Sequence, residues 1–265
     1  MTTALATLDL GVLDAVVLDT DGVITDTARV HAAAWKRAFD EILGDRDRDR
    51  RDGGRREDTR TAPFDIGSDY LRFVDGRSRA DGARTFLASR GIVLPEREGA
   101  GSLEALLDRK TGYFLEEVAE HGVRAFPSTV TLLRELRDRG AGIAAVSASR
   151  NCGAVLHAAG VDGLVDVRVD GVDAARLDLP GKPDPALFQE AARRLAVPPG
   201  RCALVEDSLV GVEAGRRGGF GSVVGVDRQG RLREDLAGRG ADVVVRDLAE
   251  LTLVGRHHGA RHPLV

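Results

Sequence analysis

The chain is short of several things that mark whole classes of protein. It has two cysteines in 265 residues, Cys152 and Cys202, and they form no CxxC pair. That leaves no disulfide framework and no zinc-ligand spacing, and it suits a reducing compartment, so the expected location is cytoplasmic. No apolar run approaches the roughly 20 residues that a membrane-spanning helix needs, so no membrane partner is expected. Met1 to Leu10 lacks the basic and long apolar regions of a secretory signal. There is no basic excess either: 38 Lys and Arg stand against 42 Asp and Glu, a formal net charge of −4, which argues against a nucleic-acid partner. No internal repeat, apolar heptad or surface stripe calls for a partner subunit, and a monomer is expected.

What is present is a 43% hydrophobic chain long enough for one large domain or a domain with an insert. Short apolar, strand-like runs recur at Ala15–Leu18, Gly142–Val146, Leu164–Val169, Cys202–Val205, Ser222–Val226 and Val243–Val245. Helical patterns at Thr129–Arg139, Asn151–Ala159, Pro185–Ala196 and Val210–Arg217 separate most of them. That alternation predicts an α/β fold, a doubly wound, Rossmann-like core around a parallel sheet. The first strand is followed by about a hundred residues of helical pattern with no good strand: Ala28–Leu43, Ser68–Val74, Ala80–Ser89 and Leu103–His121. We read residues 28–122 as a helical cap domain inserted after the first strand, with 1–27 and 123–265 forming the catalytic core. Within the insert, Gly44–Arg60 is a mixed-charge stretch expected to be a solvated, flexible loop. The histidines of the tail, His257, His258 and His262, fit a frayed terminus better than a metal site.

Four pieces carry chemistry, and each follows a predicted strand. Asp19-Thr20-Asp21-Gly22 ends the first. Ligands of open α/β sheets bind at the carboxyl ends of strands, and two carboxylates there need a cation, a proton or a partner. Asp19 is the candidate nucleophile and magnesium ligand, and Asp21 the candidate general acid and base. Ser147-Ala148-Ser149-Arg150-Asn151 follows the second run, where a hydroxyl and backbone N–H groups can hold phosphate oxygens. A serine there is by itself an ordinary helix cap. Lys182, in Gly181-Lys182-Pro183-Asp184-Pro185, is placed to neutralise nucleophile and phosphate, although most lysines are simply solvated. Glu206-Asp207-Ser208 brings two more acids to a strand end, explained by a metal site or by an acidic first helical turn.

The ordered set of DxDG, Ser, Lys-Pro and Glu-Asp resembles the haloacid dehalogenase superfamily of phosphotransferases across nearly the whole chain. The stretch Asp19 to Ala28, with His31, Ala34-Trp35-Lys36 and Ser147 to Asn151, is most similar to its β-phosphoglucomutase-like subgroup. The resemblance implies a phosphoaspartate on Asp19. It implies Mg²⁺ held by Asp19, Asp207 and the Asp21 carbonyl, with Glu206 close by. Ser147, Ala148 and Lys182 would hold the transferring phosphoryl group. Arg79 of the cap, with Ser149, Arg150 and Asn151, would meet the non-transferring phosphate of a small-molecule sugar phosphate. Lys110 resembles a substrate-facing lysine, and His31 a residue coupling cap closure to Asp21. Trp35 fits cap packing as well as sugar contact, and by chemistry alone Arg79 is equally a solvated helix residue. The implied reaction interconverts β-glucose 1-phosphate and glucose 6-phosphate. A sugar-phosphate phosphatase is the alternative, and a non-catalytic binding module disagrees with the acids present. Asp75, Thr20 and the 44–60 stretch depart from the subgroup's pattern.

Overall fold

The computed structural model describes residues 6–50, 62–75, 77–97 and 99–256, with the side chains of 45–50 left out. His257, His258 and His262 lie outside the described residues, as does the 51–60 part of the expected loop. Within that description the chain forms two compact units, Met1–Asp26 with Val123–Val265, and Thr27–Gly122.

The first unit is built on a six-stranded parallel sheet. Numbered along the chain, its strands are β2 (Ala15–Asp19), β3 (Gly142–Val146), β4 (Val167–Val169), β5 (Cys202–Glu206), β6 (Ser222–Val226) and β7 (Val243–Val245), in the spatial order β4-β3-β2-β5-β6-β7. All five residues of β2 and of β5 are buried, which is why both read as continuous apolar runs. Alternation along the strands sorts their side chains between two cores. Val16, Leu18, Ile143, Ala145, Ala203 and Val205 pack with Leu132, Leu133 and Leu136 of α4 (Pro127–Asp138) and with Leu156 of α5 (Cys152–Ala158). On the other face, Ala15, Val17, Ala144, Val146, Cys202 and Leu204 pack with Leu187, Phe188 and Ala191 of α7 (Ala186–Arg194) and with Val212 of α8 (Leu209–Arg217).

The fold is α/β as expected, with four local corrections. A strand precedes the expected first one: β1 (Ala6–Asp9) pairs in parallel with β8 (Leu251–Val254) in a separate two-stranded ladder. The expected strand Leu164–Val169 is split. Asp162–Leu164 is a 3₁₀ turn, because β3 pairs β4 only from Ala144 to Val146. Two short helices were not anticipated, α6 (Gly171–Leu177) and α9 (Arg233–Gly238). Finally, Gly44–Arg50 is not loop but the end of α1 (Ala28–Arg50). Prolonging an existing helix costs far less than nucleating one, and arginine is a good helix former.

The second unit contains α1, α2 (Arg79–Ser89) and α3 (Leu103–His121), together with a π-helical turn over Tyr70–Val74. Its core is aromatic: Phe39 packs on Trp35, Phe64 and Phe86 with ring centroids 4.8, 5.1 and 4.3 Å apart. Among the described residues no helix is long and apolar enough to cross a membrane.

Candidate active site

Parallel register decides what meets at the carboxyl edge of the sheet. Asp19 lies opposite Val146 of β3, and Leu18 lies opposite Val205 of β5. Asp19, Ser147 and Glu206 therefore leave the sheet side by side. The strand order reverses direction at β2, and the crevice at such a switch point is where open α/β sheets bind ligands.

Two buried carboxylates are tied by one ammonium. Lys182 Nζ donates to Asp19 Oδ1 at 2.5 Å and also to Glu206 Oε1. All three side chains are 7% exposed or less. Burial pushes the Asp19 carboxyl well above its ordinary value. Lys182 opposes that rise, while Glu206 and Asp21 add to it. Burial disfavours the Lys182 charge too, but Asp19 and Glu206 together outweigh it and hold the ammonium firmly protonated. The other Glu206 oxygen accepts the Ser208 N–H at 2.6 Å, and the Ser208 hydroxyl caps α8 by accepting from Gly211 N at 3.1 Å. A Cβ built at Gly211 would lie 2.0 Å from Glu206, so only glycine fits beneath this carboxylate.

Asp19, Glu206 and Asp207 each offer an oxygen within 4.8 Å of the others. Lys182 supplies one ammonium against these three carboxylates. The set is hard, anionic and all oxygen, the chemistry that Mg²⁺ prefers, so the residues present fit that ion.

Asp21 lies beside this cluster. Its backbone N–H donates to Asp19 Oδ2 at 3.0 Å, and its Oδ2 accepts from Ser147 Oγ at 2.9 Å. The Ser147 hydroxyl has one proton, committed here to Asp21, and it accepts from Ser149 N at 3.0 Å. The 147–151 segment is a chain of such turns: Asn151 N donates to the Ser149 hydroxyl at 3.2 Å, and the Ser149 carbonyl accepts from Gly171 N at 3.1 Å. Ala148 and Ser149 are half-buried and Arg150 is exposed.

Thr20, the polar residue between the two aspartates, is fully buried yet satisfied. Its hydroxyl donates to the Val146 carbonyl at 3.0 Å and lies 3.3 Å from Cys152 Sγ. Burial pushes the Cys152 thiol up to about 12, so it stays a neutral thiol rather than a nucleophile. Cys152 and Thr129, whose hydroxyl donates to the Val23 carbonyl at 2.7 Å, brace the site and were not picked out from the sequence. Each is more than a hundred residues from its partner, beyond any local motif.

The remaining candidates belong to the helical unit. Lys110 Nζ lies 2.8 Å from His31 Nδ1, with both residues buried, and His31 stacks on Phe114 at 4.3 Å. An ammonium can only donate, so Nδ1 is the acceptor and the His31 proton sits on Nε2. Trp35 is 3% exposed within the aromatic core. Arg79 opens α2, and its Nη1 donates to Thr111 Oγ1 of α3 at 3.3 Å. Asp75, the departure from the subgroup, ends the π-helical turn with its N–H on the Tyr70 carbonyl at 2.9 Å.

The chain is similar to known proteins over most of its length. A family model for haloacid dehalogenase-like hydrolases matches residues 13–219. A Mycobacterium bovis protein named beta-phosphoglucomutase is 41% identical over 244 residues, covering 89% of this chain and 90% of its own. A Mycobacterium leprae trehalose-phosphate phosphatase is 41% identical over 128 residues, 47% of this chain and 28% of its own. Among solved structures, beta-phosphoglucomutase from Clostridium difficile superposes with a TM-score of 0.68 at 24% identity, covering 91% of this chain and 93% of that one.

Proposed function

Because the chain belongs to the haloacid dehalogenase-like hydrolase family, we propose that it transfers phosphoryl groups through a phosphoaspartate on Asp19 and interconverts β-glucose 1-phosphate and glucose 6-phosphate. The observation that carries the choice of reaction is the 41% identity to a beta-phosphoglucomutase over nearly the full length of both chains.

The side chains supply a balanced sequence of steps. An Asp19 carboxylate oxygen attacks phosphorus, the bond from phosphorus to the sugar oxygen breaks, and that oxygen leaves with the electron pair. Asp21 protonates it. In the other half-reaction the free hydroxyl of the sugar monophosphate attacks the phosphorus of phospho-Asp19, the bond from phosphorus to the Asp19 oxygen breaks, and Asp21 takes the hydroxyl proton as a general base. The bisphosphate so formed reorients before Asp19 attacks its other phosphate. Ser147 orients Asp21 through the 2.9 Å hydrogen bond. Lys182 offsets charge on Asp19 and on the arriving phosphoryl oxygens. Asp19, Asp207 and the Asp21 carbonyl would hold Mg²⁺, with Glu206 behind them. Bound there, the ion supplies charge stabilisation to the phosphoryl oxygens. We assign Ala148 to the transferring phosphoryl group through its backbone. Ser149, Arg150, Asn151 and Arg79 are assigned to the non-transferring phosphate. Lys110, His31 and Trp35 are assigned to sugar recognition within the unit that serves as a cap. A mutase needs such a cap to keep water from phospho-Asp19.

A sugar-phosphate phosphatase is the second reading, favoured by the match to trehalose-phosphate phosphatase over about half of this chain. ³¹P NMR separates the two. Protein with Mg²⁺, β-glucose 1-phosphate and a trace of glucose 1,6-bisphosphate is expected to form glucose 6-phosphate ahead of inorganic phosphate. Inorganic phosphate without the isomer would establish the phosphatase instead.

A further inference from the structure

Arg228 lies in the loop after β6, far in sequence from every motif described above, yet three kinds of contact converge on it. Its Nε donates to the Gly22 carbonyl at 2.9 Å and its Nη2 to the Val23 carbonyl at 3.3 Å. Nη1 donates to Asp247 Oδ2 at 2.8 Å. The guanidinium carbon lies 3.4 Å from the centroid of the Phe126 ring. Asp247 is itself fixed, since its carboxylate caps the 3₁₀ turn Leu248–Glu250.

The backbone held in this way is the one that needs holding. Gly22 sits at φ +82°, where glycine finds no side-chain restraint, so the turn after Asp21 is not locked by its own residue. The turn closes on itself through Gly22 N to the Thr25 carbonyl at 2.8 Å and through Thr25 N to the Thr20 carbonyl at 2.8 Å. It then pairs with the returning chain: Asp26 N donates to the Arg124 carbonyl at 2.9 Å and Phe126 N to the Ile24 carbonyl at 3.0 Å. Arg228 thus grips two segments of the first unit, the turn after Asp21 through its carbonyls and the returning chain through the Phe126 face. Asp207 also packs on Gly22, so a displaced Gly22 would disturb Asp21 and Asp207 together.

We propose that Arg228 is a positioning residue for phosphoryl transfer, clamping the Asp19–Thr25 turn through the Gly22 and Val23 carbonyls. Three nitrogens of the guanidinium fork and its flat face are used. Lysine, a point charge with a tetrahedral head, replaces neither. The kinetic part of this inference rests on the proposed reaction, but the clamp itself does not.

The test is Arg228→Ala and Arg228→Lys in the full chain, read by two measurements. In hydrogen–deuterium exchange, both variants are expected to lose protection in peptides spanning 19–26 and 124–126 and to match the wild type elsewhere. In sugar-phosphate turnover with Mg²⁺, kcat is expected to fall about 10- to 100-fold with KM within about threefold. Arg228→Lys is expected to recover little of it. Exchange unchanged at 19–26 or faster throughout the chain would overturn the clamp, and kcat within about twofold of wild type would overturn its positioning role. If the wild type turns over no sugar phosphate, the proposed reaction falls, and the exchange measurement decides the clamp by itself.

Discussion

The carboxylate of Asp207 rests against the bare Cα of Gly22: a Cβ at position 22 would lie 1.8 Å from Asp207 Oδ2. The same glycine holds φ +82°, a region that L side chains rarely adopt. Gly22→Ala therefore meets two obstacles, a strained backbone and a displaced acid. Mg²⁺ affinity is expected to fall about 10- to 100-fold, the cost typical of disturbing a ligand's support. Titrating turnover against Mg²⁺ checks this. A variant with wild-type Mg²⁺ dependence would show that Asp207 is not a ligand.

Much of this arrangement was legible because chain chemistry and sheet geometry point the same way. β2, β3, β5, β6 and β7 are buried on both faces or nearly so, which writes them as short, mostly apolar runs. Parallel pairing then puts the residue after each run at one edge, so Asp19, Ser147 and Glu206 could be grouped before their contacts were known. β1 and β8 were not legible. Each is four residues with one buried side chain, and they pair with each other rather than with the main sheet. Thr20 read as an anomaly, and only the fold reveals the Val146 carbonyl that its hydroxyl meets. Arg228 was invisible for a related reason: its partner Gly22 is 206 residues away, and an arginine in a polar loop is ordinary.

Lys182 is the one ammonium that bridges Asp19 and Glu206. Lys182→Met removes that charge and leaves two carboxylates facing each other in a buried place. Breaking a buried pair in this way costs about 3–5 kcal/mol at neutral pH. The deficit shrinks as the pH falls, because the Asp19 carboxyl, already raised by burial, protonates and stops repelling its neighbour. Urea denaturation of the metal-free protein at neutral and at acid pH measures both effects. Equal stability of variant and wild type at neutral pH would remove the electrostatic account of the site.

Ser147 has a single proton, and it goes to Asp21. Ser147→Ala removes one hydrogen bond that orients Asp21 without unpairing the Asp19–Lys182–Glu206 cluster. We expect kcat to fall by about 10- to 100-fold, the scale of misplaced acid–base catalysis, with the fold unchanged. The loss should be larger for a substrate with a poor leaving group, such as glucose 1-phosphate, than for an aryl phosphate whose leaving oxygen needs no proton. Comparing kcat for the two substrates checks the role. An equal loss on both would assign Ser147 to the phosphoryl group rather than to Asp21.

Away from the site, Arg194 binds two acids at once. Its Nη2 donates to Asp173 Oδ1 at 2.7 Å and its Nε to Glu190 Oε1 at 2.7 Å. The Arg194 hydrogen bond is the largest influence on Asp173 and holds its carboxyl down at about 2. Glu190 is also held at about 2, first by Arg193 and then by Arg194. Both folded values lie below those of the unfolded chain. The stabilisation is therefore complete above the unfolded carboxylate range near pH 4 and is lost as the pH falls toward 2. Solvent screens this network, and Arg193 remains on Glu190 in Arg194→Ala, so the expected loss at neutral pH is about 1 kcal/mol. The sharper signature is the pH dependence: the gap between wild type and Arg194→Ala should close between about pH 4 and pH 2. A gap that stays constant over that interval, followed by urea unfolding at each pH, would show that Arg194 stabilises by packing its stem rather than by charge.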